Sequence, residues 1–236
     1  MMRSQEWSSL ITLEKSYSTY KNNMEQFART DKTTITRLPK RGVYDKDVVY
    51  SIVDEALFCT IAYVRDGTPF QIPTGHCRIE DKVYIHGSVG SFYMRELAEK
   101  KLPVCLSVTL MDGLVLARSA FHHSVNYRSA VIFSHAEKVT DENTLYKVLE
   151  VFTDKIQPGR WHDVRKPDAG EWKATMVLAF KIEEASAKIR TGEPKDDEAD
   201  YALDIWAGVV PLAIERKTPV ADPLLKTGVA LPEYLK

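Results

Sequence analysis

Between residues 45 and 55 the chain reads Asp-Lys-Asp-Val-Val-Tyr-Ser-Ile-Val-Asp-Glu, which sets Val48, Val49, Ile52 and Val53 at helical spacing behind an acidic start. That spacing predicts a short amphipathic helix whose first turn suits the positive end of the helix dipole. The pattern then changes period. Residues 56–64, 70–79, 82–86 and 104–110 are rich in β-branched and aromatic side chains and are separated by turn residues, so they predict strands. Asp66-Gly67 and Glu80-Asp81 fall where hairpin connections call for positive φ. Helical spacing returns over 91–101, with Ser91 at the cap position, and over 140–155, where Leu145, Val148, Leu149 and Phe152 share one face. Leu102-Pro103 and Gln157-Pro158-Gly159 stop these two helices. Residues 113–117 and 129–134 predict a further strand pair, 136–139 continues the second of these, and 174–182 predicts a last strand.

Six or more short strands in hairpin order, with two or three helices, predict a mainly β fold: a closed or nearly closed antiparallel barrel with peripheral helices. A small barrel fills its interior with side chains, so a sizeable cofactor would sit outside it or at a subunit junction. The polar stretch 1–36 is expected to be an N-terminal extension, 37–212 the barrel domain, and 213–236 a C-terminal tail.

Composition narrows the partners. The 236 residues carry 32 Lys plus Arg against 33 Asp plus Glu, a formal net charge of −1, which gives no basic stripe for nucleic acid. No window has the length of apolar sequence that a membrane span requires. Cys59, Cys77 and Cys105 lack CxxC spacing and sit in apolar contexts, so they read as buried free thiols in a reducing compartment, and a cytoplasmic location is expected. Signatures for dinucleotide glycine loops, P-loops, zinc helices and nucleophile elbows are absent. His122 and His123 are adjacent, which on a strand sends their rings to opposite faces, and no metal site is expected.

Three polar clusters remain. His86-Gly-Ser-Val-Gly-Ser91 runs from a strand end into a helix start with Arg95 one turn in, a combination of N–H groups, hydroxyls and a cation that suits a phosphate as well as it suits a plain capped turn. Arg118 to Ser129 packs two Arg, two His, Asn and three Ser beside an apolar strand, as a ligand wall or a polar loop at a subunit contact. Pro158-Gly-Arg160-Trp161, Lys188-Ile-Arg190 and Trp206-Ala-Gly208 combine Trp with Arg, which can clamp a flat ring or anchor an interface.

Gln71-Ile-Pro-Thr-Gly-His76, Val83-Tyr-Ile-His-Gly-Ser88, Pro103 to Leu110 and Asp112 to Ser129, followed by Pro158 to Trp161, Ala187 to Arg190 and Trp206 to Pro211, together resemble the FMN-binding split-barrel proteins related to pyridoxamine 5′-phosphate oxidase. Among them the chain looks most similar to the flavin-nucleotide-binding, nitroimidazole-resistance-like branch. The resemblance implies a homodimer with two FMN sites built from both chains. Ile72, Pro73, Thr74 and Gly75 would run along the isoalloxazine, and His86, Gly87, Ser88, Ser91 and Arg95 would hold the ribityl chain and phosphate. Asn126, Tyr127 and Arg128 would line the site or the dimer seam. His86 would be the catalytic residue beside the reactive edge, and His123, Arg190 and Trp206 would complete a cleft for a small planar substrate. The implied activity is an FMN-dependent oxidoreductase for a nitro-compound, quinone or pyridoxine-phosphate-like molecule; the alternative is a non-catalytic flavin- or haem-binding split barrel. Two positions depart from the pattern: Phe92 replaces an Arg after Ser91, and Ser134 stands where a Gly often follows Phe133.

Overall fold

The computed structural model describes residues 25–236; the first two thirds of the expected N-terminal extension lie outside them. Helix α1 (Lys46–Glu55) starts because the Asp45 carboxylate accepts the Val48 N–H at 3.1 Å, and it buries Val48, Val49, Ile52 and Val53 as the spacing requires. Residues 25–36 are tied to its start: Phe27 is buried, and its N–H donates to the Tyr44 carbonyl at 2.8 Å.

Strands β1 (Gly42–Val43), β2 (Phe58–Arg65), β3 (Thr68–Gly75), β4 (Cys77–Ile79), β5 (Lys82–Ser88), β6 (Pro103–Leu116), β7 (Ser124–Lys138), β8 (Thr175–Lys181), β9 (Glu184–Arg190) and β10 (Gly208–Pro211) pair antiparallel throughout. The main path runs β3-β2-β6-β7-β8-β5-β4, with β9 on β7, β10 on β6 and β1 on β9. The β2–β3 hairpin turns on Asp66 (φ 49°) and Gly67 (φ 76°), both positive as an Asp-Gly turn demands. Around the core formed by Ile61, Ile85, Leu106, Ile132, Leu178 and Phe180 lie α2 (Phe92–Lys100), which contributes Met94 and Leu97, and α3 (Glu142–Ile156), capped by Asp141. Two short helices, α4 (Arg160–Asp163) and α5 (Ala169–Ala174), connect α3 to β8. The expected mainly β barrel architecture with peripheral helices is the one found.

The differences are local. The two strands predicted over 104–110 and 113–117 are one strand of 14 residues, interrupted only by a register shift between Met111 and Gly113. The run 70–79 divides at His76, whose ring turns into the interior. Strand β9 escaped prediction because its middle is Ala-Ser-Ala, small residues that bury fully against β7 without a β-branched signature. His122 and His123 stand in and just after a 3₁₀ turn, Ala120–His122, so strand alternation does not govern their rings. All three cysteines are free thiols; Cys59 and Cys77 are buried and Cys105 half-buried, as expected. Among the described residues no helix is long and apolar enough to cross a membrane.

Candidate functional site

The end of β5 is a polar junction between a strand and a helix. His86, Gly87 and Ser88 pair with Val177, Met176 and Thr175 of β8, and the chain then turns through residues 88–91 into α2. The Ser91 N–H donates to the Ser88 carbonyl at 2.9 Å, and the Ser88 hydroxyl accepts the Gly90 N–H at 3.1 Å. Ser91 holds the cap position of α2, yet its side chain makes no cap bond, so its hydroxyl and the helix's first N–H groups remain available. Arg95 stands exposed one turn in and forms no ion pair among the described residues. Gly87 is required by close packing: a Cβ there would come within 2.7 Å of the Met94 sulfur.

His86 is half-buried, with its Nδ1 shielded from solvent and without a partner among the described residues. Burial pushes its imidazole below the ordinary histidine range, which keeps it neutral near pH 7. Its ring meets Phe152 of α3 edge to face at 4.4 Å, and the same Phe152 fills the space over Gly75, where a Cβ would lie 2.8 Å from the ring. Phe152 thus joins the end of β3 to His86. Sequence reasoning placed Phe152 on the apolar face of its helix and missed this second role; only Gly75, a glycine inside a strand pattern, signalled a close approach. Ile72, Pro73 and Thr74 lie on β3, at the edge of the main sheet path, with Pro73 exposed and Ile72 and Thr74 half-buried. Phe92, in place of the arginine, is exposed and receives the Arg65 guanidinium 5.1 Å from its ring centre, while Arg65 also lies 3.7 Å from the buried Glu96. Ser134 donates its hydroxyl to the Lys181 carbonyl at 2.9 Å, a bond a glycine could not make.

The residues expected on the other side of the ligand are differently placed. Asn126 is buried, donates to the Gly192 carbonyl at 3.1 Å and accepts from Arg190. Arg190 is 8% exposed and also donates to the Gly192 and Glu193 carbonyls. Arg128 is bound by Glu55 at the end of α1 and by Asp112 of β6, and these carboxylates raise its pKa above the ordinary arginine value. Tyr127 lies half-buried opposite Arg190 in the β7–β9 register. His123 is exposed, with Nδ1 3.0 Å from the Ser119 carbonyl, and Trp206 is 67% exposed ahead of β10.

The expected cleft of His86, His123, Arg190 and Trp206 is not formed within one chain. β8, the partner of His86's strand, meets β7 only at Ala136–Lys138, eight or more residues beyond Arg128, which is roughly 25 Å of strand. Arg190 moreover spends its donors on Asn126 and backbone carbonyls. Trp161 is buried beneath Tyr146, with ring centres 5.2 Å apart, so it anchors α3 and α4 and presents no face for a ligand.

A second titratable group sits under the barrel wall. His76 is 1% exposed; its Nε2 lies 2.8 Å from the Val53 carbonyl and 3.2 Å from the Lys155 Nζ, which donates to the same carbonyl at 2.9 Å. Burial first, and the Lys155 charge second, push His76 down to about 4.

Comparison with known proteins agrees with this architecture. The family model for pyridoxamine 5′-phosphate oxidase matches residues 45–189. No curated protein matches the chain. Among solved structures, the flavocytochrome Anf3 from Azotobacter vinelandii is 38% identical over 87% of this chain and 95% of its own, with a TM-score of 0.80. The FAD and haem binding protein from Mycobacterium smegmatis is 37% identical over 82% of this chain and 95% of its own, with a TM-score of 0.78. A 5-nitroimidazole antibiotic resistance protein from Bacteroides thetaiotaomicron shares the fold at 18% identity and a TM-score of 0.53, over 63% of this chain and 86% of its own. The chain belongs to the pyridoxamine 5′-phosphate oxidase family of split-barrel proteins.

Proposed function

We propose that this protein is a flavin-dependent redox protein that works as a homodimer and carries haem beside its flavin. The observation that carries the flavin reading is the junction of β5 and α2: a helix start without a side-chain cap, the Ser91 hydroxyl and an exposed Arg95 without an ion pair among the described residues follow directly on the half-buried His86. These residues fit a phosphorylated flavin, because helix N–H groups and a guanidinium are strong donors to phosphate oxygens.

A bound flavin would supply the electron transfer itself, taking or giving one or two electrons. The chain's own residues do the rest. Arg95, Ser88 and Ser91 hold the phosphate, and the β3 edge from Ile72 to Gly75 lies against the ring system. Neutral His86, braced by Phe152, orients a small planar acceptor such as a quinone or nitro-compound and moves a proton at its imidazole. Tyr127, half-buried on β7, would reach the same ligand from a second copy, whereas the side chains of Asn126 and Arg128 are held within their own chain by Arg190 and by Glu55 and Asp112. Exposed apolar residues such as Phe58 and Ile214 are surface that a second copy would cover.

FMN was the expected cofactor, but Phe92 favours FAD. Without the arginine, one cation faces the phosphate, and a pyrophosphate carries less charge per phosphorus than the dianionic monoester of FMN. The names of the A. vinelandii flavocytochrome and the M. smegmatis FAD and haem binding protein point the same way. The test is to purify the protein, record its visible spectrum, release any chromophore by heat and identify it by mass. A flavin dinucleotide released from a dimer is expected. FMN in its place would return the cofactor to the monophosphate, and a colourless protein that takes up neither added flavin would overturn the reading.

A further inference from the structure

The haem part of this proposal needs an iron ligand, and the structure holds one histidine prepared for it. We propose that His123 is an axial ligand of the haem, binding iron through Nε2 at the end of the barrel where β6 and β10 leave the sheet; the assignment rests on the haem reading above.

His123 Nδ1 lies 3.0 Å from the Ser119 carbonyl, and a carbonyl oxygen only accepts, so the proton sits on Nδ1. Nε2 then carries the lone pair, and the exposed ring turns no bonded atom against it. Metal-binding histidines are oriented in this way, with the second nitrogen donating to a carbonyl or carboxylate. The carbonyl's own loop is fixed: the Asp196 carboxylate accepts the Arg118 and Ser119 N–H groups at 2.9 and 3.2 Å and pairs with the Arg118 guanidinium, which lies 5.0 Å over the Tyr201 ring.

The other histidines are less suited. His76 is enclosed in the core, and His86 presents a buried, unpartnered Nδ1 behind Phe152. His122 turns its Nε2 to the Asp197 carboxylate at 3.3 Å. His135 lies beside the charged Glu184, and His162 sits between Trp161 and Asp163 in α4.

The surroundings of His123 also suit a porphyrin. Gly208 is paired with Leu116, so the segment entering β10 and the segment leaving β6 emerge together from the sheet. They bring out Phe121 on one side and Leu203, Ile205 and Trp206 on the other, all exposed, Phe121 at 89%. A large aromatic and aliphatic surface left open to water, beside a histidine with a free lone pair, is matched by a flat apolar ring carrying a metal.

The experiment is a titration of the purified protein with hemin, read by the Soret band and by electron paramagnetic resonance, on wild type, His123→Ala and His122→Ala. Wild type and His122→Ala are expected to give a stoichiometric imidazole-ligated spectrum. His123→Ala should lose it, with hemin affinity down about tenfold or more, keep its flavin content, and regain the ligated spectrum when imidazole is added. A wild type that gives no ligated spectrum would overturn the haem reading itself and the ligand with it. A ligated spectrum unchanged in His123→Ala would overturn the assignment of His123 alone, as would a loss that imidazole does not restore.

Discussion

Arg95 and Arg190 are the same side chain in opposite circumstances, and the contrast separates a binding residue from a building one. Arg190, at the end of β9, is buried and spends both terminal nitrogens on Asn126 and the carbonyls of Gly192 and Glu193, so its charge serves the chain's own turn, although its Nε has no partner among the described residues. Arg95, on the outer face of α2, is exposed beside an uncapped helix start and has no carboxylate among the described residues to hold it. A guanidinium left over after the chain has satisfied its own acceptors is free for a ligand. Two histidines differ in exposure: His76 is enclosed, with Nε2 2.8 Å from the Val53 carbonyl, whereas His86 is half-buried at the end of β5, and each ring buries an Nδ1 that has no partner among the described residues.

Breaking the closed places should cost stability. The largest effect belongs to His76, whose folded-state pKa of about 4 lies below its ordinary 6.5. Between those values the unfolded chain takes up a proton that the folded chain refuses. The neutral ring's contribution is therefore fully present above about pH 6.5, falls as the pH drops, and is gone near pH 4, a loss on the order of 3 kcal/mol. Urea unfolding from pH 7.5 to 4.5 should show this acid limb, and His76→Gln should flatten it; an unchanged limb in the variant would move the titration to other groups.

The next effect is that of Arg190→Ala, which strips the buried Asn126 side-chain oxygen of its charged donor and removes the guanidinium bonds to the Gly192 and Glu193 carbonyls. A loss of about 2 kcal/mol in urea unfolding is expected. A variant as stable as wild type would mean that water replaces the guanidinium and that Arg190 is closer to Arg95 in kind than the bonding implies.

How much of this the sequence disclosed depends on whether the signal was local. The spacing of Val48, Val49, Ile52 and Val53, the Asp66-Gly67 turn and the run from His86 to Ser91 are contiguous, and each appears in the fold as read. The sort of arginine that each position holds was not legible, because Arg190 finds Asn126 across 64 residues and Arg128 finds Glu55 across 73. Such partners are fixed by the register of β7 against β6 and β9, which no short segment records. For the same reason Phe152 read only as part of a helix face, since its contacts with Gly75 and His86 join three separate elements. Strand β9 was missed because Ala185, Ser186 and Ala187 are chosen for close packing and carry little strand preference.

The open place should respond in the opposite way, and this is the most direct test of the account. Flavin-free wild type and Arg95→Ala are titrated with FAD and with FMN, following the quenching of flavin fluorescence, and both proteins are unfolded in urea. The account predicts that Arg95→Ala unfolds within about 0.5 kcal/mol of wild type, as an exposed residue without partners should. It also predicts a flavin affinity about 10- to 100-fold weaker, the loss of one charge-assisted phosphate bond. Equal flavin affinity in the two proteins, or a large loss of stability in the variant, would contradict the claim that this junction is where the chain holds its ligand.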